Sequence, residues 1–274
     1  MTRMGRINGI VRLSGEGNFR KEDVMLRRIL LAVACTFILG GTANSASIFF
    51  GEDLSPGGAV PAGGNAETAR TNFLGNLVGV GTENFEGIAS GTSANGMGLN
   101  YTGSSGGITA TISNAGSAVV ASSPDGFGRF ATSGSNYLTN VTSGFQMDFS
   151  SEIAAFGFYG TDIGDFNGQI TLWMNSGLAQ SYTVNNTLNG PNAGLLFWGV
   201  IAGLNETFTR VIFGNTNAGT DVFGFDDLTI GDLAQVVPGG PAPISAIPLP
   251  PSAILFGTAL LGLAGLRRRK RKAA

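Results

Sequence analysis

The chain has 274 residues, 43% of them hydrophobic, with 44 glycines, one cysteine and no histidine. The lack of histidine excludes Ser-His-Asp hydrolysis, Cys-His catalysis and His-ligated zinc or iron centres. The formal net charge of −2 hides two basic ends around an acidic middle: residues 47–245 carry three arginines, no lysine and fifteen carboxylates, a net of −12, which repels nucleic acid and excludes it as a partner.

Residues 1–24 are polar and irregular, and a complete export signal begins behind them at its own methionine. Met25-Leu26-Arg27-Arg28 supplies a positive start, Ile29–Gly41 an apolar run, and Thr42-Ala43-Asn44-Ser45-Ala46 a small-residue exit. This is the pattern of a secretory signal peptide over 25–46, cleaved after Ser45 or Ala46. Residues 1–24 are then read as an overlong gene start. Cys35 lies within the apolar run and apolar sequence continues past it, so it reads as a small hydrophobe of the signal rather than a lipidation site. The exported part is left without disulfides or thiol chemistry.

Residues 47–235 are long enough for one domain with a real core. Short β-rich runs alternate with Gly, Asn, Asp and Pro turns, and no window sustains a 3.6-residue apolar period. Strands are expected at Gly98–Thr102, Ile108–Ser113, Ala118–Ala121, Gly128–Ala131, Phe145–Phe149, Ala154–Tyr159, Gln169–Met174, Gln180–Val184, Leu195–Ile201, Thr207–Phe213 and Val222–Ile230. One short helix fits 67–77, and 52–66 reads as a loop. The pattern predicts an all-β fold, a single jelly-roll-like antiparallel β-sandwich. Residues 236–246 form a Pro/Gly linker that lifts the domain off a membrane.

The tail has three parts in fixed order: Ile247-Pro248-Leu249-Pro250, the apolar run Ser252–Leu266, and the cations Arg267, Arg268, Arg269, Lys270, Arg271 and Lys272. Fifteen helical residues cover roughly 22 Å, short of a ~30 Å hydrocarbon core, but the uncharged stretch from Ala246 to Leu266 is long enough to span as a transmembrane helix. The cation block holds its own end on the cytoplasmic side, so all that precedes it faces outward. This layout resembles the PEP-CTERM sorting signal of Gram-negative bacteria. The usual motif there reads Val-Pro-Glu-Pro, and the chain is closer to the Val-Pro-Leu-Pro variant. The resemblance implies a transient inner-membrane anchor, an exosortase-type protease-transpeptidase as partner, and a destination at the cell surface or in the extracellular matrix. A plain uncleaved anchor is the alternative.

Phe156-Gly157-Phe158-Tyr159-Gly160-Thr161-Asp162 and Phe223-Gly224-Phe225-Asp226-Asp227 resemble segments of exported PEP-CTERM sandwiches, whose layout is similar to lectin-like and carbohydrate-binding modules. With histidine and cysteine gone, the carboxylates carry what chemistry is left, and calcium is the cofactor that hard oxygen ligands suit. At Asp226-Asp227 the apolar alternation of Phe223 and Phe225 against Leu228 and Ile230 changes phase, which predicts a β-bulge. In carbohydrate-binding jelly rolls the first and last strands often share a structural calcium, and that resemblance implies Glu86, Asp226 and Asp227 as its ligands. Asp162 and Asp165 form a looser acidic pair. Trp173 and Trp198 lie in apolar runs and read as core, whereas Tyr137 follows a polar stretch and reads as an exposed sugar contact.

The expected function is non-catalytic: an exported surface or matrix protein associated with exopolysaccharide and biofilm. A calcium-dependent carbohydrate-binding module is the alternative. A glycan-active enzyme built on a carboxylate pair is a second one; Glu83, Glu86, Glu152, Glu206 and several aspartates could supply it, and no spacing singles out a pair.

Overall fold

The computed structural model describes residues 46–238, apart from 123, 166, 176–179 and 217–220. The gene start expected at 1–24, the signal peptide apart from Ala46, most of the linker and the sorting segment 247–272 lie outside the described residues. Among the described residues, no helix is long and apolar enough to cross a membrane.

In chain order the elements are β1 (Ser47–Asp53), helix α1 (Asn65–Leu74), β2 (Gly81–Glu83), β3 (Gly98–Gly103), β4 (Gly106–Ser113), β5 (Val119–Ala121), β6 (Tyr137–Val141) and β7 (Gln146–Ile153). They continue with β8 (Ala155–Thr161), β9 (Ile170–Met174), β10 (Gln180–Thr183), β11 (Leu195–Ile201), β12 (Phe208–Asn215), β13 (Phe223–Gly231) and a short 3₁₀ turn at Leu233–Gln235. The strands form two antiparallel sheets, so the all-β sandwich is the fold. One sheet runs β1-β11-β8-β13-β6-β5 with β2 also paired to β13, and the other runs β10-β9-β12-β7-β4-β3.

Ten of the eleven expected strands are present to within a few residues, and the helix begins two residues earlier than expected. Gly128–Ala131 is instead a loop. It is held by Arg129, whose guanidinium pairs with Asp125 and donates to the carbonyl of Val222. The strands β1, β2 and β6 were not anticipated, because each is short or lies beside Gly- and Ser-rich sequence.

Between the sheets, alternate residues of each strand meet in one aromatic core. Phe158, Phe213 and Phe225 pack with ring centroids 5.0 to 5.3 Å apart, and Phe145 lies 5.2 Å from Phe213. The Phe-Gly-Phe runs are thereby explained: phenylalanine points in and glycine points out. Outward on the seven-stranded sheet lies α1, which buries Ala66, Ala69 and Phe73. Phe73 rests on Gly157 and Gly199, cross-strand partners in β8 and β11. A Cβ at either would come within 2.8 Å of its ring. Asp53, at the end of β1, accepts from the backbone N–H of Asn65 and Ala66 and caps the helix in place of its own N-cap, Gly64. An anion there also meets the positive end of the helix dipole.

The two faces of the sandwich therefore differ. The seven-stranded sheet is covered by α1 and its loops, and β8, β11 and β13 are buried at every residue. The outer face of the six-stranded sheet carries no helix among the described residues.

Candidate functional site

β13 has β8 along one edge, and two strands share the other. Phe223 and Phe225 pair with β6, and Leu228, Thr229 and Ile230 pair with β2. Asp226 and Asp227 sit at the changeover. The register against β8 slips between Asp226 and Thr229, and Asp227 takes a φ of +49°, a conformation aspartate tolerates better than most residues. The bulge expected from the phase change is there.

The bulge turns two carboxylates onto the segment 132–136, which leads into β6. Asp226 is 1% exposed, and its Oδ2 accepts from the backbone N–H of Thr132 (2.7 Å) and of Ser133 (3.1 Å) and from the Thr132 hydroxyl (3.0 Å). Its Oδ1 accepts from the N–H of Asp227 at 2.7 Å. Burial, with the Asp227 charge beside it, pushes the Asp226 carboxyl up to about 7 in spite of these donors. Asp227 accepts from the Ser133 hydroxyl at 2.7 Å and faces the Arg70 guanidinium of α1 at 3.7 Å. That guanidinium lies over the Tyr159 ring, 5.7 Å from its centroid.

Glu86 grips the other end of the same segment. Its Oε1 accepts from the backbone N–H of Ser135 at 2.6 Å and of Asn136, and these donors lower its pKa. Asn136 reciprocates, donating through Nδ2 to the carbonyls of Phe85 and Ile88 at 3.0 Å each. Gly134, with φ +62°, lets the backbone pass over the Glu86 carboxylate; a Cβ there would stand 2.5 Å from it.

Glu86 and Asp226 thus reach one segment, at its two ends and through oxygens already facing N–H donors. The arrangement makes a clamp that fixes a loop. Among the described residues, no three side chains of Asp, Glu, His or Cys gather as a metal site. Glu86→Gln is expected to loosen the clamp, because a neutral amide accepts more weakly than a carboxylate. The readout is amide hydrogen exchange, faster at Ser135 and Asn136 than in the parent while Thr132 and Ser133, held by Asp226, stay protected.

The aromatic expectations are corrected in both directions. Tyr137 is fully buried, its hydroxyl donating to the carbonyl of Arg129 at 3.1 Å, so it presents no surface to a sugar. It opens β6, and its position in the strand turns it inward even though its neighbours are polar. Trp198 is buried as expected, at 1% exposure, but Trp173 is 43% exposed on β9. The looser acidic pair divides: Asp162 is buried and accepts from the N–H of Ala193, whereas Asp165 is exposed. Burial pushes Asp162 up to about 6, and burial together with Asp165 does the same to Asp221.

A cleft of about 320 Å³ opens where the two sheets part, between the edge strands β1 and β10. It is lined by Ile48, Phe50, Tyr182 and Trp198 together with Ser181, Thr183 and Asn185.

Compared with solved structures, the chain is similar to the K2 cleaved adhesin domain of Lys-gingipain. The two are 15% identical with a TM-score of 0.37, over 55% of this chain and 98% of that one. Comparisons with protein-family models and with curated proteins return no match.

Proposed function

We propose that the chain is an exported, non-catalytic protein of the cell surface or extracellular matrix, delivered by an exosortase-type system and associated with exopolysaccharide in biofilm. The observation that carries the reading is the order of the tail: Ile247-Pro248-Leu249-Pro250, an uncharged stretch of membrane-spanning length, then six cations. A signal peptide at 25–46 and a transmembrane helix behind the linker bracket a jelly-roll type sandwich in this reading.

The non-catalytic half of the reading draws support from the chemistry available. The chain has no histidine, and residues 47–245 no lysine. The buried carboxylates of the bulge already accept hydrogen bonds from the protein's own backbone. Calcium enters as a separate test of the carbohydrate-module alternative. A melting temperature that rises with calcium and falls again with chelator favours that module, and one that ignores both favours a metal-free sandwich.

The sorting half has a direct check. In a host carrying an exosortase, the chain is expected to pass from a membrane-bound precursor to a shorter form outside the cell. Pro248→Ala with Pro250→Ala is expected to leave it anchored at precursor mass. Equal processing of parent and variant, or none of either, would overturn this route.

A further inference from the structure

The outer face of the six-stranded sheet has a composition unlike the rest of the domain. The side chains of β3, β4, β7, β9, β10 and β12 that point away from the core are mostly hydroxyls and amides, among them Asn100, Thr102, Thr109, Thr111, Ser181 and Thr183, in strands whose alternate residues are core. Of the fifteen carboxylates between residues 47 and 245, only Asp148 and Glu152 belong to these strands, Glu152 at the exposed end of β7. Asp148 is paired with Arg210 at 2.5 Å. In a domain of net charge −12, this face carries little charge, Asp148 and Glu152 against Arg210, and is rich in hydroxyl and amide groups.

Its one aromatic side chain is Trp173, and the backbone beneath it is shaped to hold the ring flat. A Cβ on Gly214, in the neighbouring strand β12, would stand 2.2 Å from Cζ3 and 2.4 Å from Cη2 of the indole. The six-membered ring therefore lies across the bare backbone of Gly214, in the space a side chain would fill. Diagonal neighbours across strands are within an aromatic side chain's reach. Trp173 is also second in a cross-strand row, Ser181–Trp173–Ile212–Gln146–Ser113, that crosses five strands. At about 4.8 Å per strand the row is roughly 19 Å long.

We infer that this face is a glycan-binding platform, on which the indole of Trp173 stacks against the C–H face of a neutral sugar ring while flanking hydroxyl and amide groups bind its hydroxyls. The inference rests on the exopolysaccharide reading above and names the surface that would carry it. The class of ligand follows from the face. An indole offers an apolar plate with polarisable electrons, which suits the apolar side of a pyranose. Ser, Thr, Asn and Gln both donate and accept, as alcohol ligands require. An anionic polysaccharide would meet the repulsion of the remaining carboxylates and find the Arg210 charge already paired. A preset ring loses little freedom on binding, which favours affinity.

The test is affinity electrophoresis of the full-length chain in mild detergent, through gels containing neutral glucan, galactan or mannan and, separately, alginate as the anionic probe. Retardation by at least one neutral polysaccharide is expected, weakened at least tenfold in Trp173→Ala with an unchanged melting temperature. Gly214→Ala, which keeps the indole but evicts it from its bed, is expected to weaken binding as well. Iodide quenching reads the same ring in a second way: Trp173 is open and Trp198 closed, so bound glycan is expected to protect the quenchable fraction. Retardation by alginate alone, by no polysaccharide at all, or equally in parent and Trp173→Ala would overturn the platform. Surface delivery of Trp173→Ala, followed by cell fractionation, separates the two levels. Normal delivery with absent binding removes only the platform, and absent delivery of the parent removes the exported-protein reading.

Discussion

Raising the pH from about 4 to 7 is expected to lower the stability of the sandwich. Asp226 governs the sign. Its carboxyl titrates near 3.9 in an unfolded chain and at about 7 in the fold, so the folded state binds its proton more tightly. The stability this supplies is fully present below pH 4 and is lost as the pH rises through 7. At 1.36 kcal/mol per unit the term is on the order of 3–4 kcal/mol for a group as buried as Asp226. Asp162 and Asp221, each raised to about 6, contribute with the same sign.

Glu86, Asp125 and Asp232 act oppositely. The Asn136 and Ser135 N–H groups lower Glu86. Burial raises Asp125 and Asp232, but the Phe127 N–H and Arg129 outweigh it at Asp125, as the Ser104 and Gln235 groups do at Asp232. Their stabilisation is present above pH 4 and is lost as the pH falls below it. Thermal melts across pH 3 to 8 are therefore expected to peak between about pH 4 and 5. For a domain of this size, a loss of 3 kcal/mol lowers the melting temperature by roughly 6–12 °C. Asp226→Asn is expected to flatten the alkaline side of the curve. A parent melting temperature that climbs steadily from pH 4 to 7 would show that Asp226 is ionised in the fold throughout.

Gly51→Ala is expected to be strongly destabilising. Gly51 lies in β1, and a Cβ there would come within 2.0 Å of the carbonyl oxygen of Asn65 and 3.0 Å of the Ala66 nitrogen. Both are backbone atoms of the first turn of α1, so no side chain can move aside. The helix end must shift, and with it go the Asp53 cap on Asn65 and Ala66 and the bond from Asn65 Nδ2 to the Glu52 carbonyl. Overpacking costs about 1–3 kcal/mol, and a lost cap adds about 1 kcal/mol. Chemical denaturation is expected to show a loss of roughly 3 kcal/mol or more. Gly87→Ala is the matched control, with nothing within 4 Å of the added methyl, and is expected to stay within about 0.5 kcal/mol. Equal stability of the two variants would mean that α1 does not sit on β1 as described.

The strands that were legible in the sequence are those with a strong apolar signal between turn residues, such as the continuous apolar run Leu195–Ile201, which coincides with β11 residue for residue. β6 escaped notice because Tyr137–Val141 follows Ser- and Gly-rich sequence, and its partners β5 and β13 include residues far along the chain. The bulge at Asp226 and Asp227 was legible, because a change of phase in a period-two pattern is a local property. Its partners were not: Thr132 lies 94 residues away, and no local pattern names it.

Composition and order in the sequence determined the chemistry the chain lacks, the acidity of its middle, its β-rich character and the tripartite tail. Tertiary structure alone decided which side chains meet solvent. A strand pattern assigns residues to alternate faces but does not say which face another element will cover. α1 folds over the seven-stranded sheet and buries strands on both sides, while the six-stranded sheet keeps an open face. Tyr137 in polar surroundings therefore went inside, and Trp173 in an apolar run came out, laid over a glycine of the next strand.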